Sequence, residues 1–261
     1  MDLYFKETGR DNKETIIFLH ELNMAGWMWD KQIEAFPDYH CIVPDLPEHG
    51  KSIDTPPFTI RSAAKQVIEL IKETAHNGNA HLVGMSIGAQ VILQIINDAP
   101  EMVDHAFISS VLVNKTTPSD TFLELFNYLL DAHIPIKDHH LSIGSYIRCY
   151  GIPKNERKNF MKSTRGIKPN SARDILKENI LFKMPDKLDK ADTPVLIIAG
   201  EKDFTIIKKS ACELSSKLTN SRAFLTPEVG HVWNMENPEL FNEVLRSYLA
   251  GFLPDNLIEV C

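Results

Sequence analysis

The sequence predicts an α/β domain with a mostly parallel sheet, on three observations. Short apolar runs end in turn-forming or polar residues, amphipathic stripes fall between them, and one run passes into a helix through a Gly-x-Ser-x-Gly. Near-continuous apolar strands are buried on both faces, as in a parallel sheet covered by helices. The chain has 261 residues, 43% of them hydrophobic, enough for one large domain with an insertion.

Taken in order, LYFKETG (3–9) and TIIFLH (15–20) read as the first strands, followed by HCIVPDL (40–46). In TIRSAAKQVIELIKE (59–73), Ile60, Ala63, Ala64, Val67, Ile68 and Ile71 recur at helical spacing, with Thr59 as N-cap. AHLVGMS (80–86) is a strand, and AQVILQIIND (89–98) is apolar nearly all round, as a helix buried beside a sheet should be. PVLIIAGEKD (194–203) and RAFLTPEVG (222–230) are further strands. NPELFNEVLRSYL (237–249) opens with Asn237 and Pro238, an N-cap and N1 pair, and then offers Phe241, Val244, Leu245 and Tyr248 to a core.

The alternation stops from about Lys115 to Pro185. There SDTFLELFNYLLDAH places Phe122, Leu125, Phe126 and Leu129 on one helical face behind a Ser119 cap, and NSARDILKENILF gives a looser stripe. The expected organisation is a core of residues 1–114 and 186–261 with a helical cap or lid at 115–185. The Phe122, Phe126 and Leu129 stripe would face the gap between lid and sheet. The basic segment KNERKNFMKSTRGIK (154–168) reads as the solvated face of a lid helix.

A net charge of −7 argues against a nucleic-acid binder, which needs a basic face. The first twenty residues lack a signal-peptide pattern, and no apolar run approaches the ~18 residues of a transmembrane helix. The expectation is a cytoplasmic protein, not inserted in a membrane, acting on a small molecule. Cys41, Cys149, Cys212 and Cys261 show no metal or redox spacing and are expected as reduced thiols. Asp138, His139 and His140 have no further ligands at helpful spacing, so no metal or other cofactor is expected.

HLVGMSIGAQV (81–91) carries the chemistry. A chance Gly-x-Ser-x-Gly arises in roughly one chain in ten of this length, so its context decides. The context is present: a strand before it, a helix after it, and Gly84 and Gly88 where a sharp turn needs small residues. Ser86 would be the nucleophile, and it needs a base and an orienting acid after it in the chain. His20, His40, His49, His76, His81 and His105 come too early or too close, and His133, His139 and His140 lie in the insertion. His231, in GHVWNMENPEL just before the last helix, fits the base. AGEKDFT offers Asp203 as the acid, with Glu201 as runner-up. The oxyanion donors would be the N–H of Ile87, next to the nucleophile, and that of Leu22 in the loop after TIIFLH.

HELNMAGWMW, DLPEHGKS, GMSIGA, AGEKD and GHVWNMENPELF in this order resemble the α/β-hydrolase superfamily, in its branch of small esterases, haloperoxidase-like perhydrolases and carbon–carbon hydrolases. The resemblance spans about Ile16 to Leu249. It implies the α/β-hydrolase fold with a helical lid, Ser86, Asp203 and His231 as triad, and Leu22 and Ile87 as oxyanion donors. It further implies a serine esterase for a small, fairly apolar carboxylic ester. Two other readings share the triad: a C–C hydrolase or hydroxynitrile-lyase-type lyase, and a small-molecule receptor with slow turnover.

Two positions depart from the family's pattern. Glu21 stands where His-Gly is usual, and a carboxylate facing the oxyanion would oppose catalysis, so its side chain is expected to point away. Glu48 replaces a glycine in the DLPEHGKS turn, a structural site. Trp27, Trp29 and Trp233 are expected in packing rather than in the site.

Overall fold

The computed structural model describes residues 3–55, 57–115 and 140–261. Its sheet is built from β1 (Phe5–Thr8), β2 (Thr15–Leu19), β3 (His40–Pro44), β4 (Ala80–Met85), β5 (Val103–Ser109), β6 (Val195–Gly200), β7 (Ser221–Thr226) and β8 (Ile258–Glu259). The spatial order is β1-β3-β2-β4-β5-β6-β7-β8. Only the outermost pairs, β1 with β3 and β7 with β8, run antiparallel. This is the α/β-hydrolase fold, with a mostly parallel sheet flanked by helices.

Strand register divides the core into two halves. Successive side chains of a strand face opposite sides. Ile17, Leu19 and Leu82 pack under α2 (Ile60–Thr74) and α3 (Ile87–Asp98), whereas Ile16, Phe18, Val83 and Met85 pack with Trp29, Trp233, Phe241 and Ile33 of α1 (Asp30–Ala35) on the other face. Trp29 and Trp233 are fully buried, so both serve packing. Trp27 is half-buried and its indole N–H donates to Ser163 Oγ.

Most predicted elements form where expected. Thr59 caps α2 through a reciprocal pair with Ser62: each side-chain oxygen accepts the other's backbone N–H. Asn237 caps the last helix, α9 (Pro238–Leu249), by accepting the Leu240 N–H. Between β5 and β6 lie α4 (His140–Cys149), α5 (Arg157–Gly166) and α6 (Pro169–Leu181). On α5 only Phe160 is buried, and the six cations of the 154–168 segment are exposed. The predicted helix with Ser119, Phe122, Leu125, Phe126 and Leu129 falls outside the described residues, as do His133, Asp138 and His139. Past β6 come α7 (Thr205–Ser215) and, after β7, the short α8 (Trp233–Glu236).

Two expectations change. Cys212 and Cys261 form a disulfide, with Cα atoms 5.6 Å apart, so the four thiols are not all reduced. The physical reason is β8, whose pairing with β7 returns the chain end to α7, which carries Cys212. Second, β5 (VDHAFIS) is a strand that the sequence pattern obscured, because Asp104 and His105 interrupt the apolar run.

Candidate active site

The order of the strands fixes where a site can form. From β2 the chain crosses to β3 on one side, then returns past β2 to β4 on the other. Loops leaving the carboxyl ends of β2 and β4 therefore diverge and leave a crevice between them. The register pairs Leu19 with Gly84, which sets residues 20–22 beside Ser86.

Ser86 sits in that crevice with φ +50° and ψ −110°, a strained conformation for a residue with a Cβ. The two glycines make the turn sterically feasible. A Cβ on Gly88 would stand 2.3 Å from the carbonyl oxygen of Leu19, and one on Gly84 would stand 2.7 Å from the carbonyl carbon of Gly88. The backbone N–H of Ser86 donates to Ser109 O, tying the elbow to the end of β5. Ile87 opens α3, and neither its N–H nor that of Leu22 donates to a backbone carbonyl among the described residues. An amide that is to hold an oxyanion must be left unpaired in this way.

The loops after β6 and β7 bring Asp203 and His231 together. Their strands pair in register up to Gly200 and Thr226. A Cβ on Gly200 would lie 2.3 Å from Gly230 O, so glycine lets the two loops touch. Ser110, itself at φ +51°, donates its hydroxyl to His231 O at 3.0 Å. Trp233 Nε1–H donates to Ser109 Oγ, and Glu236 accepts the Gly230 N–H. The result is a 2.8 Å hydrogen bond between His231 Nδ1 and Asp203 Oδ1. Asp203 Oδ1 also accepts the Phe204 N–H, which fixes the carboxylate. Glu201 faces elsewhere and accepts the Glu228 N–H, so Asp203 is the acid that reaches His231.

Glu21 corrects the reading of the oxyanion loop. Its side chain points inward, with Oε2 3.0 Å from His231 Nε2. The backbone explains it: the Glu21 N–H donates to Met28 Sδ and its carbonyl accepts from His20 Nδ1, which turns the side chain toward the site. The contact is close but not aligned as a directed hydrogen bond, since neither atom has a hydrogen-bond partner among the described residues. Burial disfavours the charged imidazole, but the Glu21 carboxylate and the Asp203 hydrogen bond outweigh it and raise His231 to about 10. Glu21 Oε2 thus lies beside His231 Nε2, and no hydrogen bond joins Ser86 to His231 among the described residues.

Three aromatic residues complete the surroundings, and no sequence motif marked them. The Tyr150 ring stands edge-on to His231 at 4.9 Å and stacks on Tyr146, while Phe204 lies 5.8 Å from His231. Burial, then Tyr146 and Glu21, push the Tyr150 phenol well above its ordinary value. Glu48 is a structural substitution, as expected. It takes φ +61° and its carboxylate accepts the Phe58 N–H and the Ser171 hydroxyl.

The sequence profile of the alpha/beta hydrolase family matches residues 16–244. The chain belongs to this family. Among family members, the uncharacterized hydrolase YugF of Bacillus subtilis is 26% identical, over 95% of this chain and 94% of its own. A stretch of 126 residues is 31% identical to an AB hydrolase superfamily protein of Gibberella zeae, covering 48% of this chain and 45% of that one. Among solved structures, an esterase from Exiguobacterium antarcticum superposes with a TM-score of 0.83 at 19% identity, over 95% of this chain and 96% of that one. At that identity the likeness speaks for the fold. Among the described residues no helix is long and apolar enough to cross a membrane.

Proposed function

We propose that the protein is a serine hydrolase that cleaves a small, fairly apolar carboxylic ester through an acyl-enzyme on Ser86. The observation that carries this reading is the convergence of two features on one crevice. Ser86 is held at φ +50° on the elbow, and His231, bonded to Asp203, is delivered to the same end of the sheet. Ser86 Oγ attacks the carbonyl, His231 accepts its proton and returns it to the leaving alkoxide, and Asp203 holds the imidazole in orientation. The Leu22 and Ile87 N–H groups hold the oxyanion, and water then resolves the acyl-enzyme. Helices α4 to α6 act as the lid, and the rings of Tyr146, Tyr150 and Phe204 supply apolar lining. A carboxylesterase of Bacillus subtilis, 23% identical over 94% of this chain, is in keeping with this chemistry.

Glu21 favours a second reading. A carboxylate beside an imidazole suits proton transfer to or from a substrate carbon, as a lyase or C–C hydrolase requires.

Incubation with a fluorophosphonate probe, with Ser86→Ala alongside, tests the first reading. A single adduct on Ser86 that disappears in the variant is expected. Absence of labelling would overturn the acyl-enzyme and favour a receptor or a proton-transfer enzyme.

A further inference from the structure

Plain ester hydrolysis has no use for Glu21. Its carboxylate is 1% exposed, Oε2 lacks a hydrogen-bond partner among the described residues, and it belongs to the residue just before the Leu22 amide. A negative charge there lies close to where an oxyanion would form, and it opposes that charge. Asp203 and Glu21 flank one imidazole, and neither carboxylate pairs with a lysine or arginine among the described residues. Even with His231 protonated the buried cluster keeps an excess negative charge. Around it stand the rings of Tyr146, Tyr150 and Phe204, and aromatic faces attract cations.

We propose that Glu21 receives a cationic nitrogen of the substrate, an ammonium group on the carbon next to the ester carbonyl, and so selects amino esters over neutral isosteres. The inference rests on the acyl-enzyme reading above. The ammonium replaces the imidazolium as counter-ion of Glu21, and the His231 proton passes to solvent. Nε2 then accepts the Ser86 hydroxyl proton as the Ser86 oxygen bonds to the acyl carbon and the carbonyl electron pair moves onto oxygen. Collapse breaks the bond to the alkoxide, which takes that proton from His231. Water releases the amino acid. The positive charge beside the carbonyl also offsets the repulsion between Glu21 and the oxyanion.

The test compares alanine ethyl ester with ethyl isobutyrate, which differ by an ammonium in place of a methyl, at a pH where the amine is protonated. Each kcat/KM is divided by the uncatalysed rate, in wild type and in Glu21→Gln. The preference for the amino ester should fall at least about tenfold in the variant, since a buried charge pair commonly carries more than that. An unchanged preference overturns the proposal. Fluorophosphonate labelling of Ser86 runs in parallel: labelling with unchanged preference sinks this inference alone, while neither labelling nor turnover sinks the hydrolase reading with it. If Glu21→Gln does not fold, wild type decides. Tetramethylammonium should inhibit amino-ester turnover at a concentration at least about tenfold below that of tert-butanol, and equal inhibition overturns the proposal.

Discussion

The Glu21 carboxylate lies 3.0 Å from Nε2 of His231, the ring nitrogen that a serine nucleophile needs. With Asp203 at 2.8 Å from Nδ1, one imidazole stands between two carboxylates, each favouring the proton-bearing form. Under the proposed acyl-enzyme reading, a base that starts protonated cannot accept a proton, so the pair would set the pH at which the free protein acts.

For a neutral ester, kcat/KM should therefore keep rising with pH toward about 10, rather than levelling off in the ordinary imidazole range near 6 to 7. In Glu21→Gln the midpoint should move down toward the ordinary value, because the stronger of the two charge interactions is gone. A pH–rate series on both proteins checks this, and a midpoint that stays put in the variant would dissociate Glu21 from His231. The same pairing bears on stability. The folded imidazole binds its proton more tightly than the unfolded one, so the contribution is complete below about 6.5 and fades as pH climbs to about 10.

Ser86→Ala should leave the fold intact and lower kcat on a neutral ester by on the order of 10³-fold or more. Steady-state kinetics with thermal melts on the same samples separate lost chemistry from lost folding. Near-normal turnover in a folded variant would mean that Ser86 forms no acyl-enzyme.

The parts of the fold that depend on local pattern were legible in the sequence. Thr59 and Asn237 announced their helices because caps are short-range chemistry, and the buried strands β2 and β6 stand out as apolar runs. The elbow and the pairing of Asp203 with His231 followed from motif order. What was hidden depended on direction or on long-range pairing. Whether Glu21 points in or out is decided by Met28 and His20, and no spacing rule encodes that. Likewise β5 hides behind Asp104 and His105, and the Cys212–Cys261 bond depends on β8 reaching β7.

Gly88→Ala should cost stability and activity together. Its Cβ would press on Leu19 O at 2.3 Å and His20 O at 2.8 Å, so either α3 or the oxyanion loop must shift. Overpacking of this kind typically costs about 1–3 kcal/mol, read as a lower melting temperature. Because the displaced carbonyls belong to the loop that carries Leu22, kcat should drop more than partial unfolding accounts for. Gly200→Ala makes the parallel case at Gly230 O, 2.3 Å away, where the displaced loop carries His231. Wild-type melting and turnover in either variant would show that the crowding relaxes without moving the site.

His20 and His49 predict how the fold responds to acid. Both are fully buried with ring centroids 4.9 Å apart. His20 donates from Nδ1 to Glu21 O, and its Nε2 accepts the Leu46 N–H, so it is neutral and a second proton would have to displace that bond. Burial lowers His20 to about 4, and burial together with His20 lowers His49 to about 3. The unfolded chain takes up these protons near 6.5, so between there and about 4 it binds more protons than the folded one. Stability must then fall as pH falls, by roughly 3 kcal/mol for His20 alone. Urea melts across pH 7 to 4 should show this slope, and the double variant His20→Gln, His49→Gln should flatten it. A slope that survives in the double variant would assign acid sensitivity elsewhere.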